Sequence, residues 1–425
     1  MSETNYTIND HLFGAYLERM NFLNEISIDY PDAISFGSGR PDQRFFSVKG
    51  IVSGFLSSGA GDSGENGEDY FNGLGQYNKT KGIINEAISK LLRNDEKVNV
   101  DPADIVLTDG AQEGMIIVIN TLFDLSKSED VLLVSDPSYI GFVGYAKILG
   151  VPVVTVRRDE DSIDLAHLEE TLMKLKKEGK TPKVLYEVPD FHNPTGEYMP
   201  LEKRKQLIEL AEKYNFFIVE DNPYGYFRYD AEKIPVLKAI DEYRRVIYLG
   251  SFSKTLFPSI RLGYLAADQE INHKGRKVKL VEELKKTKSF TTVNTSTLLQ
   301  GMAGSYLHSK NYTMIPSCVP KVESCRKNRD TMLDALSTHF AGIRDVKWNR
   351  PRGGFFMVVD LPFAMTDDLL KKCVEEYSVI VCPMSFFCLD EAAAAHQIRL
   401  AFSTRTPEEI HEGIARLSNF VKSYL

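Results

Sequence analysis

From about residue 100 to residue 267 the chain alternates short apolar runs with stretches whose apolar positions recur at helical spacing. The runs are 105–107, 131–134, 184–186, 216–219, 246–249 and 262–266, several of them rich in β-branched residues. Between them, residues 201–214 follow Pro200 and carry Leu201, Leu207, Ile208 and Leu210 with charges between. This alternation predicts an α/β fold: a mostly parallel sheet covered by helices on both faces. After about Pro316 the pattern changes to a long helical stretch followed by apolar runs at 355–359, 380–381 and 398–401. A second, smaller α+β domain is expected there, joined by the first forty or so residues. Residues 57–69 (SSGAGDSGENGED) are rich in Gly, Ser and acid, the composition of a mobile surface segment.

The residues just after each run are more telling. Residues 105–107 lead into Thr-Asp-Gly-Ala-Gln-Glu-Gly, and 131–134 into Asp-Pro-Ser-Tyr. Residues 184–186 lead into the Asn193-Pro-Thr-Gly196 turn, 216–219 into Glu-Asp-Asn-Pro-Tyr, and 246–249 into Ser-Phe-Ser-Lys. Open α/β sheets bind ligands at the carboxyl ends of their strands. Five polar clusters on one such edge predict a site there.

Composition narrows the function. The chain has 425 residues, 43% hydrophobic, with a formal charge of -8. That charge argues against a nucleic-acid groove, which needs clustered positive charge. Basic pairs such as Lys285-Lys286 read as solvated helix faces. The five cysteines, Cys318, Cys325, Cys373, Cys382 and Cys388, show no CxxC pairing and no His at ligand spacing. They are expected to be buried thiols rather than disulfides or a zinc site. The first ten residues lack the pattern of a signal or transit peptide, and no apolar stretch reaches membrane-spanning length. A cytoplasmic protein is the expectation.

The segment Ser251-Phe-Ser-Lys254-Thr-Leu-Phe-Pro-Ser-Ile-Arg261-Leu-Gly carries the most specific chemistry. A Lys just past a buried strand sits where desolvation lowers an amine's pKa, as Schiff-base chemistry requires. Two hydroxyls and an Arg suit a phosphate monoester. A bare Ser-x-Ser-Lys would read as a surface loop; the downstream Arg-Leu-Gly argues otherwise. This segment resembles the active-site lysine signature of class I/II aminotransferases, the fold type I enzymes that use pyridoxal 5′-phosphate. It is closest to the branch with 2-aminoadipate and kynurenine aminotransferases. The resemblance runs from about Phe36 to Ser403, with the motifs in family order. It implies a seven-stranded large domain spanning 46–315, a small domain spanning 316–425 and an N-terminal segment, 1–45, packed on the latter.

The resemblance also implies roles. Lys254 would hold the cofactor and later move a proton, while Ser251, Ser253 and Arg261 would hold its phosphate. Asp221, in Val-Glu-Asp-Asn-Pro-Tyr, would face the pyridinium nitrogen, the cation a buried carboxylate needs; otherwise it reads as a helix N-cap. Tyr224 and Asn193 would bond the phenolic oxygen O3′. His192, beside Asn193, is expected to be a neighbour rather than a catalyst. Residues 110–114 open a helix after a strand, where free N–H groups form an anion site. Relatives often carry a hydroxyl residue where Ala111 stands, so only the amides of Ala111 and Gln112 are expected to serve. Tyr139 matches the aromatic that stacks on the ring, or is a half-buried core tyrosine. Tyr77, in Gly-Leu-Gly-Gln-Tyr, matches a tyrosine that reaches the partner subunit's phosphate, which implies a homodimer with shared sites.

Arg399, in Gln-Ile-Arg-Leu-Ala-Phe-Ser, would clamp the substrate α-carboxylate in bidentate fashion, a structural salt bridge being the default for a lone Arg. The amide of Gly39 would touch the same carboxylate. Arg40 and Arg19 could each read a substrate side chain or be solvated, and for Arg19 the solvated reading is preferred. The implied reaction moves an amino group from an aromatic or 2-aminoadipate-like L-amino acid to a 2-oxo acid such as 2-oxoglutarate. The rivals are a β-lyase or cyclase on the same fold, and an aminotransferase-like transcription factor. The latter needs a helix-turn-helix module, for which too few residues precede Phe36. No metal is expected.

Overall fold

The computed structural model describes residues 6–58 and 67–425. Most of the Gly/Ser-rich segment at 57–69 lies outside the described residues; Ser57 and Ser58 close one helix and Gly67 opens the next.

In chain order the strands begin with β1 (Ile34–Ser35), β2 (Ile105–Thr108), β3 (Asp130–Asp136), β4 (Val153–Arg157) and β5 (Thr181–Glu187). They continue with β6 (Phe217–Asp221), β7 (Val246–Ser251), β8 (Gly263–Ala266), β9 (Glu270–His273) and β10 (Arg276–Lys279). The last are β11 (Lys347–Trp348), β12 (Phe356–Asp360), β13 (Val379–Ile380), β14 (Cys382–Pro383) and β15 (Gln397–Ala401). The helices are α1 (Ala15–Asp29), α2 (Val48–Ser58), α3 (Gly67–Leu74), α4 (Asn85–Leu91), α5 (Ala111–Leu122) and α6 (Ile140–Ile148). Next come α7 (Leu165–Lys177), α8 (Leu201–Tyr214), α9 (Leu280–Thr291) and α10 (Thr297–Ser309). The chain ends with α11 (Ile315–His339), α12 (Asp367–Tyr377) and α13 (Pro407–Lys422).

Seven strands form one sheet in the order β2-β8-β7-β6-β5-β3-β4. All neighbours pair in parallel except β8, which is antiparallel to both β2 and β7. The fold is therefore the mostly parallel, helix-covered sheet that the apolar runs predict. All six runs are strands. The six runs omit β4 and the charged hairpin β9-β10. The Val-Val-Thr-Val of β4 is apolar but half-buried at the sheet edge, whereas the Lys, Arg and Glu of β9-β10 leave no apolar run.

Residues 201–214 form α8, with Leu207, Ile208 and Ala211 buried. Three apolar clusters pack against the large sheet, and a separate core joins the four-stranded sheet β11-β12-β15-β14 to α11 and α13. The N-terminal segment is tied to the second: β1 pairs with β13, and the Ala401 N–H donates to Phe36 O at 2.7 Å. All five cysteines are buried and unpaired. No helix among the described residues is long and apolar enough to cross a membrane.

Candidate active site

The parallel strands bring their carboxyl ends to one edge, and a cavity of about 540 Å³ opens there. Asp221 is the last residue of β6, Ser251 the last of β7, and Lys254 lies three residues on. Ala111 and Gln112 open α5 after β2, and Tyr139 precedes α6 after β3. Because β8 runs the other way, its first residue, Gly263, lies at this edge, two residues past Arg261. Gly263 pairs with both Thr108 and Ser251. Thus the segments after β2 and β7 converge on Arg261.

Lys254 Nζ donates to Gly39 O at 2.9 Å. Burial, with the Arg399 guanidinium adding repulsion, pushes its amine down to about 8, against the opposing pull of Asp221. Asp221 is buried, and its carboxyl is pushed up to about 7 by that burial. The Tyr186 hydroxyl donates to its Oδ2 at 2.8 Å and works the other way. Oδ1 has no hydrogen-bond partner among the described residues. Holding this carboxylate charged costs on the order of 4 kcal/mol unless a cation meets it.

A cup lies across the cavity floor. Gly110 takes a left-handed φ of +78°, and a Cβ there would stand 2.5 Å from Arg261 Nη2. Arg261 is itself left-handed, with φ 44°. For a residue with a Cβ that conformation costs about 1–2 kcal/mol, and here it accompanies a guanidinium lying over the Gly110 turn. Arg261 donates to Asp109 O at 3.2 Å and to Ser253 Oγ at 3.4 Å. The helix start, the Ser253 hydroxyl and Arg261 together make an anion cradle.

Arg399 enters from the smaller sheet. It is buried on β15, donates to Asn193 Oδ1 at 2.8 Å and to Gly37 O, and its Nε has no partner among the described residues. Its guanidinium lies 4.3 Å from the Phe356 ring centroid and 4.6 Å from that of Phe387. Burial holds its pKa below the ordinary arginine value. A buried cation with an unused donor, facing a cavity, suits a carboxylate.

Of the residues singled out in the sequence, Lys254, Asp221, Tyr224, Ala111, Gln112, Tyr139, Asn193, Ser251, Ser253, Arg261, Arg399, Gly39 and Arg40 all line this one cavity. Tyr224 is buried and its phenol pushed well up, chiefly by that burial. Tyr139 donates to Gln112 Oε1 at 3.2 Å, and burial pushes its phenol up to about 12. Gly39 has no room for a side chain: a Cβ would fall 2.3 Å from Phe356 Cζ. Tyr77 is 80% exposed and does not line the cavity of its own chain. His192 is buried outside the cavity lining, its Nδ1 2.9 Å from Thr195 Oγ1. Burial, with Arg158 nearby, holds its imidazole well below the ordinary range.

Arg19 is not solvated, contrary to expectation. It is 8% exposed, donates to Ser385 O at 3.0 Å and pairs with Glu391. The cause is that α1 packs against the 384–391 segment, which no local pattern reveals. Tyr186, Phe356 and Phe387 also line the cavity, although no motif in the sequence points to them. A phenol closing the apolar run 184–186 is the one local signal for Tyr186.

These features fit pyridoxal phosphate. A depressed amine can form the imine, the free Asp221 oxygen suits a pyridinium N–H, and the Gly110 cradle suits a phosphate.

A family model described as "Aminotransferase class I and II" matches residues 69–417. The chain is 34% identical over 422 residues to the (S)-3,5-dihydroxyphenylglycine transaminase of Amycolatopsis orientalis, covering 99% of this chain and 94% of that protein. It is 33% identical to aromatic-amino-acid aminotransferase 1 of Thermococcus litoralis, covering 82% and 80% of the two chains. Its fold is similar to that of the Pyrococcus horikoshii kynurenine aminotransferase, solved in complex with PMP. The TM-score there is 0.85 at 28% identity, over 99% of this chain and 98% of that one.

Proposed function

The chain belongs to the class I and II aminotransferases and is a pyridoxal-phosphate-dependent enzyme; from that premise we propose its donor class and the work of each residue. The donor is an L-amino acid with an aromatic or 2-aminoadipate-like side chain, and the acceptor a 2-oxo acid such as 2-oxoglutarate. The observation that carries this reading is the placement of Lys254, Asp221 and Arg399 around one cavity, with Phe356 and Phe387 flanking the arginine. Relatives named for aromatic amino acids support it.

When bound, the cofactor supplies a conjugated ring able to take up the electron pair released at the substrate Cα. Lys254 holds it covalently at rest. Its Nζ, when free, would take up the proton at the substrate Cα and give it back. An amine near pKa 8 does both, since enough of it is neutral to accept and its conjugate acid still donates. Asp221 keeps the ring nitrogen protonated through its unpartnered oxygen. Tyr224 and Asn193 would bond O3′, and Tyr139 would lie against the ring and exclude water. Ser251, Ser253, Arg261 and the amides of Ala111 and Gln112 hold the phosphate. Arg399 would clamp the α-carboxylate, helped by the Gly39 amide, and so fix the orientation of the Cα–H bond. Arg40, at the cavity mouth, reads the polar end of longer side chains.

We place this chemistry between a large domain, 46–315, and a small one, 316–425, with the segment 1–45 attached to the latter. The working unit is a cytoplasmic homodimer in which Tyr77 reaches the phosphate of the partner subunit's site.

The test has two parts. Borohydride reduction of cofactor-saturated protein followed by peptide mass mapping should place a pyridoxyl group on Lys254; an unmodified Lys254 overturns the assignment. A donor and acceptor screen, scored by the mass of both products, should return aromatic amino acids or 2-aminoadipate among the best donors. Preference for small aliphatic donors would refute the substrate class.

A further inference from the structure

The turn that carries the anion cradle is gripped from behind by groups that do not line the cavity. Glu113, buried on the first turn of α5, accepts the Asp109 N–H at Oε2, 2.6 Å away. Lys288, fully buried on α9, donates to both Glu113 oxygens, at 3.0 and 2.8 Å, and to Thr292 Oγ1 at 2.9 Å. The hydroxyls of Thr291 (3.3 Å) and Thr292 donate to Oε1. Asp109 is thus held at both ends. Its N–H goes to Glu113 and its carbonyl accepts Arg261 Nη2 at 3.2 Å. Gly110 comes next, between the Arg261 guanidinium and Gly263, where an added Cβ at 263 would lie 2.8 Å from Ala111 N.

A buried ion pair contributes little net stability, and an apolar pair of similar volume would serve the fold as well. An apolar pair could not accept the Asp109 N–H. We propose that Glu113, oriented by Lys288 and Thr292, is a positioning residue for the cofactor phosphate. It holds the 109–112 turn so that the amides of Ala111 and Gln112 and the Arg261 guanidinium face one point. This inference rests on the assignment of the phosphate to this turn made above.

The experiment compares two double variants with wild type. E113L/K288M removes the acceptor and leaves no unmatched charge; E113Q/K288M keeps an oxygen for the Asp109 N–H. Each cofactor-free protein is titrated with pyridoxal 5′-phosphate and with pyridoxal, following imine absorbance, and its melting temperature is recorded. With the acceptor gone, the phosphorylated ligand should bind about tenfold more weakly while pyridoxal changes less than about threefold, the scale expected for leaving one buried N–H unmet. E113Q/K288M should recover most of that affinity. If E113L/K288M melts differently yet keeps the wild-type ratio of the two affinities, Glu113 is merely structural and the proposal falls. R261A separates the two readings: if it too leaves the ratio unchanged, the phosphate lies elsewhere and the assignment beneath the proposal fails.

Discussion

The Tyr186 hydroxyl, at the end of β5, donates to Asp221 Oδ2 at 2.8 Å and leaves Oδ1 as a buried oxygen without a protein partner among the described residues. One oxygen is anchored and the other is left without such a partner. The bond favours the ionised carboxylate, against the burial that pushes its pKa up to about 7.

Tyr186→Phe should therefore raise the Asp221 pKa further. Because the ionised form does the work, the acid limb of the kcat/KM profile should move to higher pH. Activity near pH 7 should fall about five- to tenfold, the weight of one charge-assisted bond. A profile superimposable on wild type would contradict this.

Asp221→Asn should separate stability from activity in the cofactor-free protein. A carboxyl whose folded pKa is raised binds its proton more tightly in the native state. Its stabilising contribution is full below about pH 4 and is lost as pH rises through about 7. The melting temperature of D221N minus that of wild type should therefore grow between pH 5 and pH 8. Transamination should fall about a hundredfold or more. Differential scanning calorimetry at the two pH values checks the first claim; a difference that shrinks would refute it.

The Lys254 amine, pushed down to about 8, should govern cofactor attachment. Only the neutral amine attacks an aldehyde. The rate of borohydride-trapped incorporation should therefore climb with a midpoint near pH 8 rather than above 10. The sign for folding is also set. Between about pH 8 and the ordinary lysine range the unfolded chain binds the extra proton, so this group adds stability to the cofactor-free protein as pH rises there. Stopped-flow absorbance across pH 6–10 is the measurement.

Arg399→Lys keeps the charge and loses the planar fork between Phe356 and Phe387. Expected is a loss of about a hundredfold in kcat/KM for the amino acid, carried mainly by KM, with cofactor affinity within about twofold of wild type. A loss confined to kcat would mean that Arg399 does not bind the carboxylate.

Chain periodicity alone determined six of the seven strands of the large sheet and helix α8. Apolar runs and helical spacing are local properties, and a buried parallel strand leaves little choice of residue. The site's edge was legible too, because ligands gather at strand ends and the polar residues there come directly after each run. The membership of the cavity beyond those motifs was decided by tertiary structure. Tyr186 meets Asp221 only because β5 and β6 are neighbours. Arg399 meets Gly37 across 362 positions because β1 and β15 join the same small core. Arg19 is buried rather than solvated because α1 lies against residues 384–391. These contacts depend on which elements lie side by side, and no local spacing encodes that.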